Sequence, residues 1–183
     1  MSAWKKKRRV MRRYDSTAHM YDLRYAEEQE AKFKIALKGL KMRCSALVLD
    51  VGCGTGLFFG HVASHADTII GLDISRRTLS QAKERAKKHS NVQVILADAD
   101  KLPFKEASFD VIFAFTLLQN MPSPCDTLKE IRRAAKHGGS AVITGLKKTF
   151  PVETFKKLLQ GSGLRIVSLH SNALKCYVAI CRA

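Results

Sequence analysis

No stretch of this chain approaches the roughly eighteen consecutive apolar residues that a membrane-spanning helix needs, and the longest candidate, Val111–Leu118, has the length of a buried strand. Cysteine is sparse and unpaired. Cys44, Cys53, Cys125, Cys176 and Cys181 are odd in number and lack metal-ligand spacing, so neither a disulfide framework nor a zinc site is expected. They suit a reducing compartment. No apolar segment follows the charged N-terminus, so a secretory signal is not expected and a cytoplasmic location is. No set of His, Asp and Glu has ligand spacing either, and no metal is expected. The 183 residues show no internal repeat and leave almost nothing outside one domain.

Acid is also scarce. Sixteen Asp and Glu stand against thirty-two Lys and Arg, a formal net charge of +16. Lys5, Lys6, Lys7, Arg8, Arg9, Arg12 and Arg13 fall within the first thirteen residues with no acid among them. Residues 1–13 therefore read as a disordered basic arm, with Trp4 available to stack on a base or simply exposed. An excess of this size points to a polyanion, and these seven cations are the candidate nucleic-acid contacts. A solubilising surface is the other reading of the same charge.

What the chain does contain is concentrated at Leu47–Gly56. An apolar run ends in Asp50, and Gly52, Gly54 and Gly56 follow at alternate positions before Leu57-Phe58-Phe59. This has the form of a buried parallel strand turning tightly into a helix whose free N–H groups face a ligand. The nicotinamide fingerprint is spaced G-x-G-x-x-G, whereas this chain reads G-x-G-x-G with an acid just ahead. Such an acid would repel a pyrophosphate and suits a ligand bearing an amino group. A second strand, Thr68–Asp73, ends in an acid seventeen residues after Gly56, where a carboxylate can hold a ribose diol. A third, Val92–Ala97, delivers Asp98-Ala99-Asp100. Ligands of open parallel sheets sit beyond the carboxyl ends of the strands, so these acids should converge. Ordinary readings remain for each: a structural turn, a helix cap near Ser75, a polar loop before Pro103. Asp100 is expected to be solvated.

Between these landmarks strand and helix alternate, which argues an α/β fold. Residues 14–42 read as lid helices, with Phe33, Leu37 and Leu40 on one face. Ser75 can cap a helix running to His89, and Ser123-Pro124 can start another that Gly138 ends. A last helix spans Pro151–Gln160, and two strands, Leu164–Leu169 and Leu174–Cys181, close the chain.

In these residues the chain resembles the class I S-adenosylmethionine-dependent methyltransferases, over roughly residues 14 to 183. Asp50–Gly56 resembles the first motif of that family and Asp73 its ribose acid. Phe109–Ile112 is similar to its fourth strand, Leu117–Pro122 to a Leu-His-His-Val-Pro segment, and Lys136–Ser140 to a Lys-Pro-Gly-Gly turn. The resemblance implies a three-layer Rossmann-like fold whose mostly parallel seven-stranded sheet has an antiparallel last strand. It implies S-adenosylmethionine as cofactor, contacted by Tyr21, Asp50, Gly52, Cys53, Gly54, Gly56, Asp73, Ile74, Asp98, Ala99 and Phe115. Thr116, Gln119 and Asn120, after the fourth strand, are the candidate catalytic residues that would orient an acceptor, unless they only bond the loop. The Asn/Asp-Pro-Pro-Tyr segment common in base-amine methylation is missing, and Cys125, at a helix start, does not suit a thiolate nucleophile. With the basic charge, RNA (ribosomal or transfer) is the expected acceptor, and a small molecule or a protein side chain is the alternative. A monomer is expected, and a protein partner stays open.

Overall fold

The computed structural model describes residues 2–171 and 174–183, with residues 17–24 described through their backbone only. One long helix, α1 (Ala3–Lys38), precedes the sheet. Strand β1 (Leu47–Val51) is followed by the short α2 (Phe59–Val62), β2 (Thr68–Asp73), α3 (Arg76–Ala86) and β3 (Val92–Leu96). Then come β4 (Phe109–Ala114), α4 (Pro124–Ala134), β5 (Ala135–Leu146), α5 (Val152–Gly161), β6 (Arg165–His170) and β7 (Cys176–Arg182). The seven strands are ordered β3-β2-β1-β4-β5-β7-β6. β1 to β5 pair in parallel, and β7 runs antiparallel to both β5 and β6. The order reverses between β1 and β4, which opens the crevice where such sheets take ligands.

Alternation along the strands builds two cores. Leu49, Val51, Ile112, Ala141 and Ile143 face one side, where α4 and α5 bring Leu128, Ile131, Phe155 and Leu159. Val48, Val111, Phe113, Val142 and Val178 face the other, under Phe33 of α1, Phe58, Phe59 and Ala82. The result is three layers with a sheet buried on both faces, as parallel strands demand. At the first turn Gly56 has φ +78°, and a Cβ there would lie 2.5 Å from the Phe59 ring. Only glycine combines that backbone with so close a ring. Among the described residues no helix is long and apolar enough to cross a membrane.

Two expectations need correction. The basic arm is not disordered: residues 3–13 are the first turns of α1, which is capped by Ser2 and runs unbroken into the expected lid. Residues 3–38 contain no Gly or Pro to stop it. A first turn without acids opposes the helix dipole, so the order comes from carboxylates and carbonyls of the sheet edge, described below. The fourth helix also stops early. It ends at Ala134, and Ala135 pairs with Phe109 as the start of β5, so Gly138 lies inside a strand rather than ending the helix.

Candidate functional site

Asp73 and Asp98, at the carboxyl ends of β2 and β3, line one cleft, while Asp50, near the end of β1, lines a recess beside it. The cleft is lined by Gly52, Gly54, Asp73, Ile74, Asp98, Ala99, Phe115 and Thr116 of the expected residues, and by Lys7, Val10 and Tyr14 of α1. Asp50, Cys53 and Phe115 line an adjoining recess together with Phe33 and Gln29. Gly56 lines neither; it packs on Phe59 behind the turn. The side chain of Tyr21 lies outside the described residues.

Asp73 organises the turn. One carboxylate oxygen accepts the Gly54 N–H at 2.9 Å, and the other accepts the Ser75 N–H at 2.8 Å. Burial pushes its pKa up, against the pull of those N–H groups. Asp50 is 2% exposed. Burial, reinforced by the charge of Asp73, pushes its pKa up to about 8. Burial, and then the charges of Asp50 and Asp73, drive the Cys53 thiol well above its usual value, and it is no nucleophile. Two buried acids held side by side are costly without a cation. A ligand presenting a cationic amine to Asp50 and hydroxyls to Asp73 would relieve both, so this donor set fits the amino-acid end and ribose of an S-adenosyl ligand.

The raised pKa of Asp50 has a consequence for stability. The folded protein holds a proton that the unfolded chain has lost from about pH 4 upward, so this group weakens the fold as pH rises toward 8, by at most about 1.4 kcal/mol per pH unit. Asp110 and Glu130, held below the usual range by Lys136 and Arg133, act only in more acid solution. In thermal denaturation without cofactor, Asp50→Asn should gain stability over the natural chain progressively between pH 5.5 and 8. A constant difference across that window would contradict the assignment.

The N-terminal third of α1 straps the cleft. Lys7 Nζ lies 2.6 Å from Asp98 and 2.5 Å from Asp100. Burial lowers the Lys7 pKa, but its hydrogen bonds to both carboxylates and their charges outweigh it and the net shift is upward. Asp100, expected to be solvated, is thus an ion-pair partner, and Thr127 bonds it as well. Lys6 Nζ donates to the Met121 carbonyl at 2.6 Å, and Asp15 accepts the Ser75 hydroxyl at 2.5 Å. Of the seven expected nucleic-acid contacts, Lys6 and Lys7 turn inward. Arg13 is bonded to Asn120 at 2.7 Å, and Lys5, Arg8, Arg9 and Arg12 are exposed.

Thr116 stands at φ +55°, unusual for a β-branched residue, just beyond β4. Hydrogen bonds hold it there. Its N–H donates to Thr144 Oγ1 at 2.7 Å. Its hydroxyl oxygen accepts from Gln29 at 3.1 Å and Lys32 at 3.3 Å. Its carbonyl accepts from Gln119 at 2.7 Å and Asn120 at 2.9 Å. Gln119 and Asn120 therefore do bond the loop, while Asn120 also donates to the Tyr14 hydroxyl at 3.0 Å. Gln119 Oε1 is buried with no donor among the described residues. Tyr14, Thr116 and Asn120 line both the acid cleft and a second chamber toward β5 and β7. The sequence reading missed Gln29, Lys32 and Thr144. Gln29 and Lys32 share a helical stripe with Phe33 and Ala36, and two polar residues in an apolar stripe were the available signal. Among the described residues no group of three or more His, Cys, Asp or Glu could hold a metal ion.

Comparison with known proteins agrees with this geometry. A family described as "Methyltransferase domain" matches residues 49–143. The chain is 33% identical to the malonyl-[acyl-carrier protein] O-methyltransferase of Marinomonas sp. (strain MWYL1), over 81% of this chain and 55% of that one. It is 32% identical to the demethylmenaquinone methyltransferase of Staphylococcus saprophyticus, over 63% of this chain and 51% of that one. It thus spans about half the length of these curated relatives. A SAM-dependent methyltransferase structure from Aquifex aeolicus superposes with a TM-score of 0.72 at 21% identity, covering 82% of this chain and 88% of that one.

Proposed function

From the premise that this chain belongs to the class I S-adenosylmethionine-dependent methyltransferases, we propose that it methylates a small molecule held in the chamber behind Thr116. The observation that carries this reading is that the acid cleft and the chamber share a wall of Tyr14, Thr116 and Asn120. When bound in the cleft, S-adenosylmethionine supplies an electrophilic methyl on a sulfonium. Asp73 takes the ribose hydroxyls through its remaining lone pairs, and Asp50 with Gly52 and Gly54 takes the amino-acid end. Asp98 and the Ala99 backbone read the adenine edge, and Ile74 and Phe115 enclose the ligand. Thr116 and Asn120 position the acceptor at the gap, where alignment supplies most of the rate. The two relatives named for malonyl-[acyl-carrier protein] and demethylmenaquinone support a non-RNA acceptor. The exposed Lys5, Arg8, Arg9 and Arg12 favour RNA as the second reading.

Incubation with methyl-labelled cofactor, a small-metabolite pool and total RNA in parallel separates the two. Label is expected among small molecules. Label in RNA would overturn this choice of acceptor.

Lys7 occupies the carboxylate that the adenine amine would use, so cofactor binding has to displace it. Lys7→Met should bind S-adenosylhomocysteine about three- to tenfold more tightly, the scale of one partly buried ion pair. Added salt, which loosens that pair, should raise the affinity of the natural chain and leave the variant unmoved. Calorimetric titration checks both, and weaker binding by the variant would contradict the displacement.

A further inference from the structure

The chamber behind Thr116 has a volume of about 530 Å³ and lies between α1 and the ends of β5 and β7. That size suits a small organic ligand. Among the described residues its walls carry three cations, Arg13, Lys32 and Lys175, against one carboxylate, Glu28.

Lys32 is the informative one. A lysine is seldom fully buried unless paired, and this side chain is 2% exposed. Its ammonium meets Glu28 Oε1 at 2.9 Å, while the other Glu28 oxygen lies 3.9 Å from Lys175. One carboxylate is therefore divided between two ammonium groups. Arg13, an exposed part of the wall, is bonded to Asn120. Lys32 and Lys175 against Glu28 leave one positive charge over, and at the buried Lys32 that charge attracts an anion more strongly than at the surface. The fold has already desolvated Lys32, so a ligand would not have to. A polymer phosphate cannot easily reach an ammonium this deep.

We infer that the methyl acceptor is a small acid whose carboxylate or phosphate sits on Lys32, with Arg13 and Lys175 flanking it. Its nucleophilic atom then lies at the Thr116–Asn120 gap toward the acid cleft. Tyr14, Tyr25 and Leu146 supply the apolar walls for the body of the molecule. This inference rests on the small-molecule reading above and adds the charge of the substrate to it.

Calorimetric titration of inorganic phosphate and of succinate into protein saturated with S-adenosylhomocysteine tests it. The natural chain is compared with Lys32→Met, Lys175→Met and the control Lys156→Met, on α5, which contributes nothing to the chamber. At least one anion should bind, about tenfold more weakly in Lys32→Met and about threefold more weakly in Lys175→Met, with Lys156→Met unchanged. Lys175 is 82% exposed at its side chain, so that variant keeps the test valid should Lys32→Met fold poorly. Which anion depends on Lys32 tells phosphate from carboxylate. Equal anion affinity in all four proteins, or none in any of them, overturns the inference while S-adenosylhomocysteine still binds. Failure to bind S-adenosylhomocysteine at all would instead strike the methyltransferase reading.

Discussion

Asp73→Ala should bind S-adenosylhomocysteine at least about a hundredfold more weakly than the natural chain. Two hydrogen bonds from a ribose to a charged carboxylate contribute about 1.5–3 kcal/mol each, and about 3 kcal/mol corresponds to a factor near a hundred. The loss should exceed this sum, because the same carboxylate holds the Gly54 and Ser75 N–H groups and hence the shape of the turn. Stability should change less than affinity. The substitution leaves two N–H groups unpaired, but it also removes a buried acid whose charge the fold disfavours. Asp73→Asn, which keeps one acceptor oxygen, should fall between the two proteins. Calorimetric titration measures the affinities and circular dichroism checks the fold; an affinity loss below about tenfold would remove Asp73 from the ribose.

Phe58→Ala should be the most destabilising of the single substitutions considered, by about 3–5 kcal/mol. Phe58 is 2% exposed, with its ring centroid 4.8 Å from Phe33, 4.6 Å from Phe113 and 5.1 Å from Phe115. Removing the ring loses its transfer free energy, leaves a cavity and breaks three aromatic contacts, each worth about 0.5–1.5 kcal/mol. A domain of this size has roughly 5–15 kcal/mol in all. The damage should also be directional. Phe33 belongs to α1 and Phe115 directly follows β4, so this cluster helps seat α1 on the sheet beside Thr116. Phe58→Leu, which refills most of the volume, should recover much of the loss. Urea denaturation gives the numbers, and a cost under about 1 kcal/mol would show that the cluster does not anchor the helix.

The sheet was legible where the chain punctuates itself. Thr68–Asp73 is bounded by an acid and a capping serine, and the strand occupies those same residues. Val111–Leu118 reads as a buried strand; β4 overlaps it but spans Phe109–Ala114, with Asp110 half-buried and Leu118 beyond its end. The acids at 50, 73 and 98 come to one edge of the sheet because parallel strands end there, a rule of topology that needs no side-chain detail. What sequence could not supply were the partners of charged groups. A run of Lys and Arg at a helix start is unfavourable by itself, and Asp98, Asp100 and the Met121 carbonyl hold its lysines where α1 continues through it. Lys32 pairs with Glu28 one turn earlier, a spacing that also describes a solvated surface pair. Its burial follows from the packing of α1 against β7. The early end of α4 has the same origin, since a strand partner at Phe109 decides between helix and sheet for Ala135. The left-handed Thr116 has no local signal; five hydrogen bonds with distant and neighbouring residues hold it.

The account depends on an adenosine ligand lying across the ends of β1, β2 and β3, and a crystal structure grown with S-adenosylhomocysteine tests that most directly. The ribose hydroxyls should sit on the Asp73 carboxylate, the amino group beside Asp50, and the adenine beside Asp98 with Lys7 drawn away from it. A ligand found elsewhere, or a cleft in which Lys7 still bridges Asp98 and Asp100 at saturating ligand, would contradict it.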